Sequence, residues 1–182
     1  MDTLPDYLRP DLDIISVGIN PSVNSARAGF YFATPQNRFW RALNASGLAP
    51  ETLTPGREAV ERLFNVYRIG FTDVAKRPSS SAAQVSTPEF RQGAPMLKEK
   101  LLRYQPRIVW FHGKEAYGRY LRHAESVDKP EILWGRQPRA IGKSLVFVTP
   151  NPSPANAAFS LDTLIDWYRQ LKTLRDSLKN RP

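Results

Sequence analysis

Short apolar runs that end in turns, spaced by stretches of helical periodicity, constrain this chain more than any other feature. Residues 13–19, 107–111 and 145–149 are such runs, rich in Ile, Val and Phe, and a weaker one lies near 67–73. Runs this short fit buried helix by periodicity alone, but their length and their Gly and Pro flanks favour strands. Between them the spacing predicts helices over 37–46, 57–65, 88–104, 114–122 and 161–179. The last carries Leu161, Leu164, Ile165, Tyr168, Leu171 and Leu174 at three- and four-residue intervals, a stripe that packs on a sheet. Ser86-Thr87-Pro88-Glu89 supplies a cap and an early proline for the helix it opens. Residues 134–142 read as a loop or short hairpin, and 78–85, rich in Ser and Ala, as a mobile loop. Strand and helix in alternation is the α/β pattern. No repeat, low-complexity segment or boundary interrupts it, so one domain over residues 1–182 is expected.

With 182 residues, 41% of them apolar and 11% aromatic, the chain can bury roughly 70% of its unfolded surface. Its 26 Lys and Arg outnumber 17 Asp and Glu, for a net charge of +9. That excess favours a polyanionic partner, because cations that neutralise phosphates release condensed counterions. A basic protein without such a partner is the alternative. The lack of cysteine excludes disulfides, zinc–thiolate sites and iron–sulfur clusters. The two histidines, His112 and His123, have no ligand spacing, so no metal site is expected. Residues 1–10 hold acids and prolines without an apolar core, and no apolar run reaches the ~20 residues of a bilayer span. A cytoplasmic protein with no membrane partner is expected.

In α/β sheets ligands bind beyond the carboxyl ends of the strands, and three such ends here carry polar turn chemistry. The first run breaks into Gly18-Ile19-Asn20-Pro21-Ser22, with Phe30, Tyr31, Phe32, Phe39 and Trp40 close behind. A turn of this kind presents one amide side chain beside aromatic rings, a setting that holds a flat heterocycle and a water molecule. The weak run ends at Gly70-Phe71-Thr72-Asp73, and the 145–149 run ends at Thr149-Pro150-Asn151-Pro152-Ser153-Pro154-Ala155-Asn156. A lone Asn-Pro commonly starts a turn, with its side chain capping local backbone. Two Asn-Pro-Ser turns after two strands argue for more than that. Gly113-Lys114 is not a phosphate loop, since Ile108 stands where the first glycine belongs and Glu115 where Ser or Thr is needed. No Gly-x-Ser-x-Gly elbow supports a serine hydrolase. Lys172, Arg175 and Lys179 read as a solvated helix face.

Taken together, these residues resemble the mismatch-specific uracil-DNA and thymine-DNA glycosylases. The resemblance runs from about Asp13 to the final helix. It is carried by Gly18-Ile19-Asn20-Pro21, Gly29-Phe30 and Pro35-x-Asn37-Arg38-Phe39-Trp40, then Gly70-Phe71-Thr72 and Arg77-Pro78. It continues through Tyr104-Gln105-Pro106-Arg107, Gly113-Lys114, Gly135 and Gln137-Pro138, and closes on Asn151-Pro152-Ser153. It implies a three-layer α/β/α sandwich around a mostly parallel sheet, of the uracil-DNA glycosylase type. It also implies a monomer without cofactor that extrudes a base from DNA and hydrolyses the N-glycosidic bond. Double-stranded DNA holding uracil or a mismatch is the implied partner, with single-stranded DNA a further candidate.

The transition state is oxocarbenium-like at the sugar with negative charge on the leaving base, by analogy with other glycosyl cleavages. The target base must leave the stack first. Asn20 resembles the family's water-positioning amide, which orients a water without acting as a base. Backbone amides across Gly18, Ile19 and Ser22 are expected to meet the base's carbonyl oxygen. Phe32 aligns with the stacking ring, with core burial as its other reading. Asn151 completes the base site. Asp73 departs from the family pattern, which has an amide or a base there: it is a second catalytic candidate, as general base or cation stabiliser. A local cap or an ion pair with Lys76 or Arg77 is its alternative role. Pro154, Ala155, Asn156 and Ala157 occupy the position of the family's inserted wedge, here small and uncharged, with Asn156 facing the orphaned base and Ser153 before them a further DNA contact. Lys76, Arg77, Lys114 and Arg136 are candidate phosphate contacts. Two rival functions remain, a DNA module that grips extruded bases without cleaving them and a small-molecule nucleoside hydrolase.

Overall fold

The computed structural model, which describes residues 2–179, joins the apolar runs into one five-stranded sheet. Its strands are β1 (Ile14–Gly18), β2 (Ile69–Asp73), β3 (Ile108–His112), β4 (Gly135–Arg136) and β5 (Leu145–Thr149), in the order β2-β1-β3-β5-β4. The β1–β2, β1–β3 and β3–β5 pairs are parallel, and the two-residue β4 runs antiparallel at one edge. Six helices surround them: α1 (Val23–Ala28), α2 (Phe39–Ser46), α3 (Arg57–Asn65), α4 (Thr87–Tyr104), α5 (Lys114–Ala124) and α6 (Leu161–Lys179).

Side chains alternate across each strand, so each buried run feeds two cores. Ile14, Phe71, Ile108, Trp110 and Phe147 face a cluster with Phe39 and Leu43 of α2, Val60 and Leu63 of α3, and Leu164, Tyr168 and Leu171 of α6. Ile15, Val17, Val109, Phe111, Val146 and Val148 face Phe90, Leu97 and Leu101 of α4 and Tyr117, Tyr120 and Leu121 of α5. The result is the expected α/β/α arrangement. Each fully buried Leu, Ile or Phe contributes about 1.5–3 kcal/mol, which explains why near-continuous apolar strands are found here and not alternating ones.

The bounds of β5, α3 and α6 fall where the sequence puts them. Others shift for local reasons. α2 starts at Phe39 because the Asn37 side-chain oxygen accepts the Phe39 amide at 2.9 Å. α1 is unforeseen, since six residues have no period to read; Ser22 caps its start and Gly29, at φ 80°, ends it. Residues 78–85 are tied down: the Val23 amide donates to Ser79 O at 3.1 Å and the Ser79 amide to Pro21 O at 3.2 Å. Arg175 is not on a solvated face. It is 6% exposed and donates to Leu48 O at 2.7 Å, while Lys179 pairs with buried Asp13 at 3.0 Å.

From β1 the chain reaches β2 on one side, and β3 then lies on the other. This reversal opens a crevice beyond the carboxyl ends of β1 and β3, where α/β sheets place ligands.

Candidate functional site

That crevice is a cavity of about 650 Å³ in which the ends of β1, β2, β3 and the segment after β5 meet. The parallel register sets Gly18 opposite Asp73. Val74 and Ala75 donate to the carbonyls of Gly18 and Ile19, both at 2.9 Å, so the two turns are stitched together. Gly18 is required by this close approach: a Cβ there would stand 2.8 Å from Asp73 Oδ1.

Asn20 is held from one end. Its Nδ2 donates to Arg77 O at 2.9 Å and to Ser79 Oγ at 2.8 Å. Only the amide nitrogen can serve a carbonyl, so Oδ1 points away from both, and among the described residues nothing bonds to it. Asn151 is held from the opposite end, its Oδ1 accepting the Ser153 amide at 2.9 Å. The cavity thus offers a carboxamide acceptor on Asn20 and a carboxamide donor on Asn151. Among the described residues the backbone amides of Ile19, Asn20 and Ser22 also have no acceptor, which leaves three further donors at the turn.

Asp73 is 5% exposed, and burial pushes its carboxyl up to about 6. Lys76 pulls the other way, its Nζ 3.3 Å from Asp73 Oδ2. The same ammonium meets Asp6 Oδ1 at 3.0 Å and Tyr31 Oη at 3.3 Å. Its three hydrogens therefore have three protein partners. Lys76, expected at a phosphate, instead tunes Asp73. Arg77 is likewise engaged, by Glu89 and by Gln84 O at 2.8 Å. Lys114 lies over the Trp134 ring at 4.6 Å, and Arg136 is exposed on the edge strand. Neither of these two lines the cavity.

Phe32 is half-buried, stacked on Phe39 at 4.0 Å and 16°. Its φ of 58° is left-handed, a conformation that costs an L-residue roughly 1–2 kcal/mol. Backbone strain of this kind collects at ligand sites and persists only where packing enforces it. Pro154 and Ala155 are exposed at the rim, and Asn156 donates to Asn151 O at 3.0 Å, which commits its amide to the turn.

Two residues that shape the site escaped the sequence. Arg38 stretches under residues 152–159 and donates to the carbonyls of Pro152 at 3.4 Å, Ser153 at 3.1 Å, Asn156 at 2.9 Å and Phe159. It shapes the rim loop from 114 residues away in the chain, beyond the reach of any local pattern. His112 closes β3, 1% exposed in the cavity wall, its Nε2 2.7 Å from Ser16 Oγ. Its place at a strand's carboxyl end was the available signal.

Residues 5–172 match the model of the uracil DNA glycosylase superfamily. Among solved structures, the chain is similar to the solution structure of a Methanosarcina acetivorans protein provisionally described as a uracil DNA glycosylase. The two share 26% identity over 94% of this chain and 98% of that one, with a TM-score of 0.59.

Proposed function

The chain belongs to the uracil DNA glycosylase superfamily, and from that premise we propose that it is a monofunctional glycosylase of the mismatch-specific type, acting on uracil in DNA. One observation carries the reading. Asn20 Oδ1, buried Asp73, Phe32 and Asn151 Nδ2 border a single cavity at the crevice of the sheet.

An extruded uracil stacks on Phe32, with the Asn151 amide and the turn amides of Asn20 and Ser22 donating to its oxygens. Those donors are preorganised for the charge that develops on the leaving base. Asn20 Oδ1 accepts a hydrogen bond from a water aimed at C1′. Asp73, when ionised, takes that water's proton or steadies the sugar cation. The catalytic work is shared, so Asn20→Ala leaves measurable activity while Asp73→Asn lowers the rate. The rim of Pro154, Ala155 and Asn156 is a small uncharged wedge, and A-paired and single-stranded uracil are therefore accepted beside G·U. Lys114 and Arg136 supply phosphate contacts for a protein that works as one domain and as a monomer.

A cleavage panel tests this. G·U, A·U, single-stranded U and G·T substrates are treated with wild type, Asn20→Ala and Asp73→Ala, and alkali-sensitive abasic sites are scored with released base. Salt-dependent binding without base release would establish the non-cleaving module instead. Cleavage restricted to mismatched duplex would refute the broad acceptance, and total loss in Asn20→Ala with Asp73→Asn unaffected would refute the shared role.

A further inference from the structure

His112 is a buried polar group in the cavity wall that the proposed chemistry leaves without a task. It sits at the end of β3, its ring 4.3 Å from Trp110, 5.1 Å from Phe32 and 5.8 Å from Phe39. Its Nε2 meets Ser16 Oγ at 2.7 Å, and its Nδ1 is buried with no partner. A buried unpaired polar atom costs about 1–3 kcal/mol, and on a residue that lines a ligand cavity it has a ready explanation in the ligand.

Counting hydrogens decides the tautomer. If Nε2–H donated to Ser16, the hydroxyl hydrogen of a residue only 2% exposed would need another acceptor, and among the described residues it has none. If Ser16 donates to Nε2, both of those atoms are satisfied and a single orphan remains, the Nδ1–H. Burial also holds the ring's pKa down at about 3, so it is neutral throughout the physiological range.

In an extruded pyrimidine N1 stays at the mouth, tethered to the sugar, and the atom farthest from it is the C4 substituent. A donor buried in the wall, as His112 is at 1% exposed, is placed to meet that substituent. We infer that His112 is a specificity-determining residue whose Nδ1–H donates to the C4 oxygen of the bound base, selecting 4-oxo over 4-amino pyrimidines, with Ser16 positioning the ring by fixing its tautomer. This rests on the base-excision reading for its substrate, but the ring's state is measurable without catalysis.

The test pairs a change in the enzyme with a change in one atom of the base. Single-turnover excision of uracil and of 4-thiouracil, whose sulfur is a weaker acceptor, is compared in wild type, His112→Leu and Ser16→Ala. One hydrogen bond predicts that wild type prefers uracil about tenfold more than His112→Leu does, with Ser16→Ala in between. Equal preference in wild type and His112→Leu would overturn the inference. In parallel, ¹⁵N–¹H correlation of the His112 ring is recorded in the intact protein with free uracil or cytosine added. A proton on Nδ1 that shifts with uracil and not with cytosine supports it. A proton on Nε2, or no shift with either base, overturns it. If wild type releases no base at all, the excision reading fails by itself, and the ring spectra still decide the role of His112.

Discussion

Asp73 makes the sharpest demand on a measurement. Its carboxyl is pushed to about 6 by burial, with a smaller push from the like charge of Asp6, against the pull of Lys76 at 3.3 Å and the weaker pull of Lys100. If the carboxylate is the working form, it is almost fully ionised at pH 7.5 and about one-tenth ionised at pH 5. Single-turnover excision under saturating enzyme should therefore fall about tenfold per pH unit below the midpoint. In Asp73→Asn this acid limb should vanish, with the plateau lowered on the order of 100-fold. In Lys76→Gln the limb should move to higher pH, because the stabilising charge is gone. The same shift has a stability signature. A carboxyl whose folded pKa lies above its ordinary 3.8 binds its proton more tightly when folded, so the stability it contributes is complete below about pH 4 and is lost as pH rises through about 6. Two pH units amount to about 3 kcal/mol, read as the difference in Tm between wild type and Asp73→Asn across pH 4–7. A rate that stays flat from pH 5 to 8, or an acid limb that persists in Asp73→Asn, would refute the reasoning.

Gly18→Ala should cost about 1–3 kcal/mol in chemical denaturation and at least tenfold in excision, because its Cβ falls 2.8 Å from Asp73 Oδ1 and forces that carboxylate out of its place. Arg38→Lys replaces a planar fork with a point charge and cannot hold four carbonyls. DNA binding should weaken roughly tenfold, with a smaller effect on kcat than on KM. Arg136→Ala and Lys114→Ala should each reduce the slope of log affinity against log salt by about one. Lys76→Gln should leave that slope unchanged, since its ammonium already has three protein partners; a reduced slope would return Lys76 to the phosphates.

Much of the architecture was legible because buried parallel strands and amphipathic helices write their periods into neighbouring residues. The β5 run Leu145–Thr149 and the α6 stripe from Leu161 to Leu174 needed nothing from elsewhere in the chain. α1 was missed for the converse reason, being too short to carry a period, whereas β4 falls in the segment 134–142 that read as a loop or short hairpin. The positions of Asn20, Asp73 and Asn151 at strand ends were likewise local facts, and a topology rule was enough to place them near a crevice.

What those groups do was local only in part. Asn20 is oriented by Arg77 O and Ser79 Oγ, 57 and 59 residues away; the Asp73–Lys76 pair is local and was open to the sequence, but the hold of the distant Asp6 on that lysine was not. The ring proton of His112 is set by Ser16, 96 residues distant. Sequence by itself determined the strands, the helices and the polar turns, because backbone preference and burial act over a few residues. Only the tertiary structure decided which carboxylate is buried, which lysine is occupied and which donors are left over. Charge and hydrogen bonding act through space over a few ångströms, between residues whose separation along the chain carries no information.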